Sequence, residues 1–260
     1  MSPTDPGTTA PTLLKVANLQ KRFGDHEVLK SINLEVRKGQ VLALIGPSGS
    51  GKTTVLRCLN GLEIPDGGEV SFSEGPTVAF VPGTTQKQAQ VLRTRSAMVF
   101  QNYNLFPHMT VLENVIEGPV QVQRRKRKEA VSAAQSLLGR VGLAEKQDQY
   151  PHELSGGQQQ RVGIVRALAL KPSLLLFDEP TSALDPELVG DVLKVIKELA
   201  DEGWTMVLVT HELAFAREVA DEVVFMDQGV VVEHGHPDVV LRNPRNERTQ
   251  QFVHRLLNPF

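Results

Sequence analysis

Cysteine is nearly missing from this chain: Cys58 is the single one among 260 residues. An intrachain disulfide is therefore excluded, which suits a reducing compartment. Long hydrophobic runs are missing too. No stretch approaches the ~20 apolar residues of a membrane-spanning helix, so any membrane role must pass through a partner. Excess charge of one sign is also absent. A formal net charge of −2 gives no global attraction to nucleic acid or to anionic lipid. Apart from His211, the histidines show no metal-ligand spacing, and His234-Gly235-His236 reads as a turn. There is no internal repeat, and the one biased tract is the Pro/Thr/Gly-rich segment 1–12. That segment has no apolar core, so it reads as a disordered lead and not as a secretion signal.

The chain does have enough length for one large domain, or one domain with a subdomain. Its hydrophobic content of 40% is ordinary for a packed core. Residues 13–19 and 28–36 read as short strands, and the largely apolar run 40–45, closed by Gly46, as a buried one. Residues 52–62 read as a helix with Val55, Leu56, Leu59 and Leu62 on one stripe. Asp66-Gly67-Gly68 is a turn before a strand at 69–72, and 73–90 reads as two short strands and a loop. A short strand at 97–100 precedes a mostly helical stretch, 101–170, which includes the basic run Arg124 to Lys128. Residues 173–177 form a second buried strand. Asp185 suits a helix N-cap, Pro186 the first helical position and Gly203 the far end. Strands follow at 204–209, 222–226 and 230–233, with a turn at Asp227-Gln228-Gly229, and the tail from Pro237 is helical and polar. Strands alternating with helices imply an α/β sheet, and the helical insertion implies a lobe mounted on it.

Gly46-Pro47-Ser48-Gly49-Ser50-Gly51-Lys52-Thr53 fits the phosphate-cradling pattern G-x-x-x-x-G-K-[ST]. Glycines let backbone N–H groups converge on phosphate oxygens, and the helix opening near Lys52 adds its positive end. Lys52 would reach the β- and γ-phosphates, Thr53 would bind Mg²⁺, and Thr54 a further phosphate oxygen. Leu174-Leu175-Leu176-Phe177-Asp178-Glu179 is an apolar strand ending in two carboxylates. Beside the glycine loop, Asp178 could stand near Mg²⁺ and Glu179 near an attacking water as general base. In Leu154-Ser155-Gly156-Gly157-Gln158, Ser155 can cap a helix, and the two glycines let N–H groups approach a second anion.

Together these runs resemble the ATP-binding cassette (ABC) ATPases over nearly the whole chain. Gly46 to Thr53 resembles that family's Walker A loop, Leu174 to Glu179 its Walker B strand, and Leu154 to Gln158 its signature motif. Gln101 falls at the Q-loop, Ser182-Ala183-Leu184-Asp185 resembles the D-loop, and His211 the switch histidine. Phe23 falls where the family stacks an aromatic, often tyrosine, on adenine. The resemblance implies a P-loop NTPase (RecA-like) core with an antiparallel β subdomain and an inserted α-helical subdomain. The core with its β subdomain would take residues 13–100 and 171–260, and the helical subdomain 101–170. It implies ATP and Mg²⁺, with Thr53, Gln101 and Asp178 around the metal. The ATP site would be made by Phe23, Gly46 to Thr54, Ser155 to Gln158 and Asp185, with Glu179, Gln101 and His211 catalytic.

The string Met98 to Val115, the run Leu154 to Arg161 and the tail Asn243 to Thr249 are similar to ATPase subunits of polar amino-acid uptake systems. That implies permease subunits in the membrane, a solute-binding protein outside it, and a second copy or a paralogous cassette. The chain would then sit peripherally on the cytoplasmic face. ABC ATPases for other solutes, for export or lipoprotein release, or acting on nucleic acid are alternatives. Arg124 to Lys128, which have no interleaved aromatics, read as a solvated helix face in the arm.

Overall fold

The computed structural model describes residues 10–257. Most of the expected N-terminal lead, residues 1–9, lies outside that range, and Thr12 is already paired in a strand. The elements in chain order are β1 (Thr12–Phe23), β2 (His26–Arg37), β3 (Val41–Ile45), α1 (Lys52–Leu59), β4 (Gly67–Phe72), β5 (Thr77–Phe80) and α2 (Gln86–Ala89). Next are β6 (Ser96–Val99), α3 (Val111–Glu117), α4 (Arg127–Arg140), α5 (Gly156–Ala169), β7 (Leu174–Asp178), α6 (Pro186–Asp201) and β8 (Met206–Val209). The chain closes with α7 (Leu213–Val219), β9 (Glu222–Asp227), β10 (Val230–Gly235), α8 (Pro237–Arg242) and α9 (Glu247–Leu257).

Two sheets organise these elements. One has four strands in the order β2-β1-β4-β5, all antiparallel. The other has six in the order β10-β9-β3-β8-β7-β6, parallel except for the β10-β9 hairpin. Every residue of β3, β7 and β8 is buried, which is why these strands read as continuous apolar runs. The largest apolar cluster joins both sheets through α1: Leu14, Ile32, Leu42, Leu56, Val70 and Val209 belong to it. A separate cluster lies in the segment between β6 and β7, where α3, α4 and α5 pack through Val115, Leu138 and Val165. No helix among the described residues is long and apolar enough to cross a membrane.

Three expectations need correction. Residues 73–90 do not hold two strands: β5 is the only one, and a capping box between Thr85 and Gln88 starts α2, which runs on into a 3-10 turn to Thr94. Helix α1 stops at Leu59, three residues early, because Gly61 takes φ 65° and the Leu62 N–H turns back to the Arg57 carbonyl at 2.8 Å. The basic run is not one helix face. Arg124 sits at φ 57°, Arg125 donates to the Ala169 carbonyl at 2.9 Å, and α4 begins only at Arg127.

Candidate functional site

The parallel sheet gathers the motifs at the carboxyl ends of four neighbouring strands, where open α/β sheets hold ligands. In the spatial order β3-β8-β7-β6, these ends lead to the glycine loop, to His211, to Asp178 and Glu179, and to Gln101. Val209 is the common neighbour, in register with Leu44 on one side and Asp178 on the other. Segments distant in sequence therefore meet because their strands are adjacent.

The glycine loop leaves β3 through Gly46 at φ 148°. A Cβ there would lie 2.0 Å from the Met226 carbonyl oxygen, so only glycine lets the loop rest on β9. Lys52 opens α1, and its ammonium donates to the carbonyls of Gly46 at 2.8 Å and Pro47 at 2.9 Å. Burial pulls its pKa below the usual lysine value against the opposing pull of Glu179 and Asp178. The charge therefore sits in the mouth of the loop, within reach of whatever anion the loop takes.

Thr53 donates its hydroxyl to Asp178 Oδ1 at 2.7 Å. A hydroxyl and a carboxylate held side by side are hard oxygen donors of the type Mg²⁺ takes, so these residues fit that metal. Burial pushes the Asp178 carboxyl above its usual range, with the Thr53 bond and Arg57 acting against it. Glu179 is shifted the other way. The hydrogen bond from His211, Nε2 to Oε1 at 2.9 Å, holds its carboxyl below the usual range, although burial opposes this. A carboxylate only accepts, so His211 carries its proton on Nε2. Glu179 also has φ 45°, a region that costs a non-glycine residue about 1–3 kcal/mol. Gln101 is exposed two residues past β6.

Ser155 caps α5 in a reciprocal box: its hydroxyl accepts from Gln158 N–H at 3.3 Å, and Gln158 Oε1 accepts from Ser155 N–H at 3.0 Å. The Gln158 side chain thus serves the cap. Among the described residues, no hydrogen bond or ion pair joins 155–158 to 46–54. Asp185 is the N-cap of α6 but makes no side-chain cap bond. Phe23 ends β1 with 48% of its surface exposed, and the Lys21 ammonium lies 4.8 Å from its ring centroid. Such packing leaves a ring face for stacking, worth about 1–3 kcal/mol by analogy with base–aromatic stacks. Sequence reasoning missed the Glu179–His211 bond, since nothing in a 32-residue separation shows that β7 and β8 are neighbours.

The ABC transporter family matches residues 29–182. The chain belongs to that family. Its members include an L-cystine import ATP-binding protein of Bacillus subtilis, 60% identical over 247 residues, which cover 95% of this chain and all of that protein. A histidine transport ATP-binding protein of Pseudomonas aeruginosa is 54% identical over 247 residues, covering 92% of this chain and 97% of the relative. Among solved structures, a dimeric post-hydrolysis ATP-binding cassette bound to ADP and Pi superposes with a TM-score of 0.75 at 32% identity. It covers 86% of this chain and 99% of its own. As an ABC ATPase this chain binds and hydrolyses ATP, and the fold is the P-loop NTPase cassette expected from its motifs.

Proposed function

We propose that this chain is the ATP-hydrolysing subunit of an ABC importer for polar amino acids. The observation that carries this reading is the likeness, at 60% and 54% identity and over almost the whole length, to proteins named for cystine import and histidine transport.

In this reading, residues 13–100 and 171–260 form the catalytic core and 101–170 the arm that meets the membrane partner. The N–H groups of Gly46 to Thr54 and the Lys52 ammonium hold the phosphates, and Phe23 stacks on the adenine. Thr53, Asp178 and Gln101 would hold Mg²⁺, which would supply neutralisation of phosphate charge. Glu179 takes the proton of the attacking water, a role typically worth on the order of 10²–10⁴-fold. His211 orients Glu179 and reaches the γ-phosphate. Ser155, Gly156 and Gly157 serve a nucleotide on a second copy or a paralogous cassette. The lack of any bond from that segment to the glycine loop within one chain supports this, as does the dimeric state of a structural relative. ATP binding closes such a dimer and product release opens it. Permease subunits would seat on the loop after Gln101, and an extracytoplasmic solute-binding protein would act through them. The chain would lie on the cytoplasmic face of the membrane, with no nucleic acid involved.

The test is uptake of labelled cystine, histidine and arginine by cells in which Lys52→Ala replaces the parental chain. Loss of uptake for at least one of the three is expected. Parental uptake of all three overturns the reading.

A further inference from the structure

Tyr103 stands where three motif-bearing segments meet. It follows Gln101 by two residues, and its hydroxyl donates to the Ala183 carbonyl at 3.0 Å. Ala183 belongs to the turn between β7 and α6. Within that turn, Leu184 N–H bonds the Thr181 carbonyl at 3.1 Å. Ser182 donates its N–H at 3.2 Å and its hydroxyl at 3.0 Å to the Glu179 carbonyl. The turn that Tyr103 anchors is therefore tied at its other end to the Glu179 backbone.

The third segment is the start of α5. A Cβ on Gly156 would lie 2.7 Å from Tyr103 Oη and 3.2 Å from Leu184 Cδ2, so the absence of a side chain there leaves room for the phenol. Helix α5 also fixes the backbone that presents the ring. Tyr103 and Asn104 sit consecutively at φ 59° and 50°, a conformation that costs non-glycine residues about 1–3 kcal/mol each. It persists because the Arg166 guanidinium, from the same α5, donates to the Tyr103 carbonyl at 2.9 Å and the Asn104 carbonyl at 2.5 Å.

We propose that Tyr103 is a positioning residue for hydrolysis, whose O–H ties the segment after Gln101 to the turn after Glu179. Movement of the Gln101 segment is thereby passed to the backbone of Glu179, and α5 feels the same movement through Arg166 and Gly156. The inference rests on the reading of Glu179 as the hydrolytic base.

Tyr103→Phe keeps the ring and removes only the O–H. The kcat of the purified chain should fall about three- to tenfold, as loss of one net hydrogen bond implies. The KM for ATP should stay within about twofold, since an interaction expressed in the chemical step lowers kcat and not binding. Tm should fall by no more than about 5 °C, the loss expected of one net hydrogen bond. Glu179→Gln is measured alongside. Parental turnover in Glu179→Gln overturns the site reading and this inference with it. Near-zero turnover there, with parental kcat in Tyr103→Phe, overturns this inference alone. A larger drop in Tm, or a rise in KM that matches the loss in kcat, marks a packing role and also overturns it. A second arm uses Gly156→Ala, which should impair turnover less in the Tyr103→Phe background than in the parent. Strict additivity of the two changes would remove the contact.

Discussion

His211 Nε2 lies 2.9 Å from Glu179 Oε1, joining the ends of two neighbouring parallel strands. The bond keeps Glu179 ionised, so this carboxylate is charged through the neutral range. Replacing Glu179 by Gln keeps the shape and removes the base. Turnover should fall by on the order of 10²–10⁴-fold, while ATP binding persists and the ATP-bound dimer accumulates. Steady-state phosphate release and size-exclusion chromatography with ATP read both effects. Parental phosphate release would remove Glu179 as the base.

Cys58 offers a pH test away from the site. Its side chain is fully buried in α1, and burial pushes the thiol up to about 12. The fold favours the neutral thiol. This contribution to stability is complete below the thiol's ordinary value of 9.0 and is lost as pH rises from there toward about 12. A thiol reagent at pH 8 should therefore leave the folded chain unlabelled and label it fully in denaturant. Rapid labelling without denaturant would show that α1 opens readily.

The loop after Gln101 has a built shape. Asn114 is fully buried; its Oδ1 accepts from Phe106 N–H at 2.7 Å, and its Nδ2 donates to the carbonyls of Phe106, Met109 and Thr110 at 3.0–3.1 Å. This holds Phe106 outward with 43% of its surface exposed. Phe106→Asp should leave Tm and the ATPase of the isolated chain nearly unchanged, since a surface substitution usually shifts stability by within about 0.5 kcal/mol. It should abolish coupled uptake in vesicles containing the permease. Parental uptake would take this loop out of the partner interface.

Sharing of sites can be tested by complementation. Lys52→Ala and Ser155→Arg should each be inactive alone. In a heterodimer of the two, one site carries both defects and the other carries none, as a two-fold interface requires. Purified heterodimers should recover part of the parental turnover. Heterodimers of parent with the double variant carry one defect per site and should not. If the heterodimer of the two single variants is no more active than that control, either the sites lie within one chain or a single intact site does not suffice. An intersubunit crosslink between Ser155→Cys and Ser48→Cys in a Cys58→Ala background separates the two, since only a shared site gives it.

Local patterns in the sequence were enough for much of this structure. The apolar runs ending at Ile45 and near Asp178 read as buried strands because both faces of those strands are covered. Ser155 reads as a helix start because capping is a short-range matter, and Asp185 because Pro186 takes the first helical position after it. The Thr85–Gln88 box is equally local, and reading 73–90 as two short strands and a loop overlooks it. What spacing cannot supply is sheet order. The contacts of Glu179 with His211, and of Tyr103 with Ala183 and Gly156, depend on which strands and turns lie side by side. The role of Tyr103 had a further disguise, since two consecutive left-handed residues without glycine leave no compositional trace.

The position of β3 has a consequence for synthesis. Its hydrogen-bonding neighbours, β8 and β9, both lie far downstream, with Met206 pairing Val41 and Phe225 pairing Ile45. A chain growing from its N-terminus therefore exposes β3 unpaired on both edges, an invitation to wrong partners. The floor beneath Gly46 is the Met226 carbonyl, made later still. The nucleotide cradle cannot be complete until residue 226 has left the ribosome, so nascent chains cut short before that point, although they carry all the glycines of the loop, should not be captured by ATP.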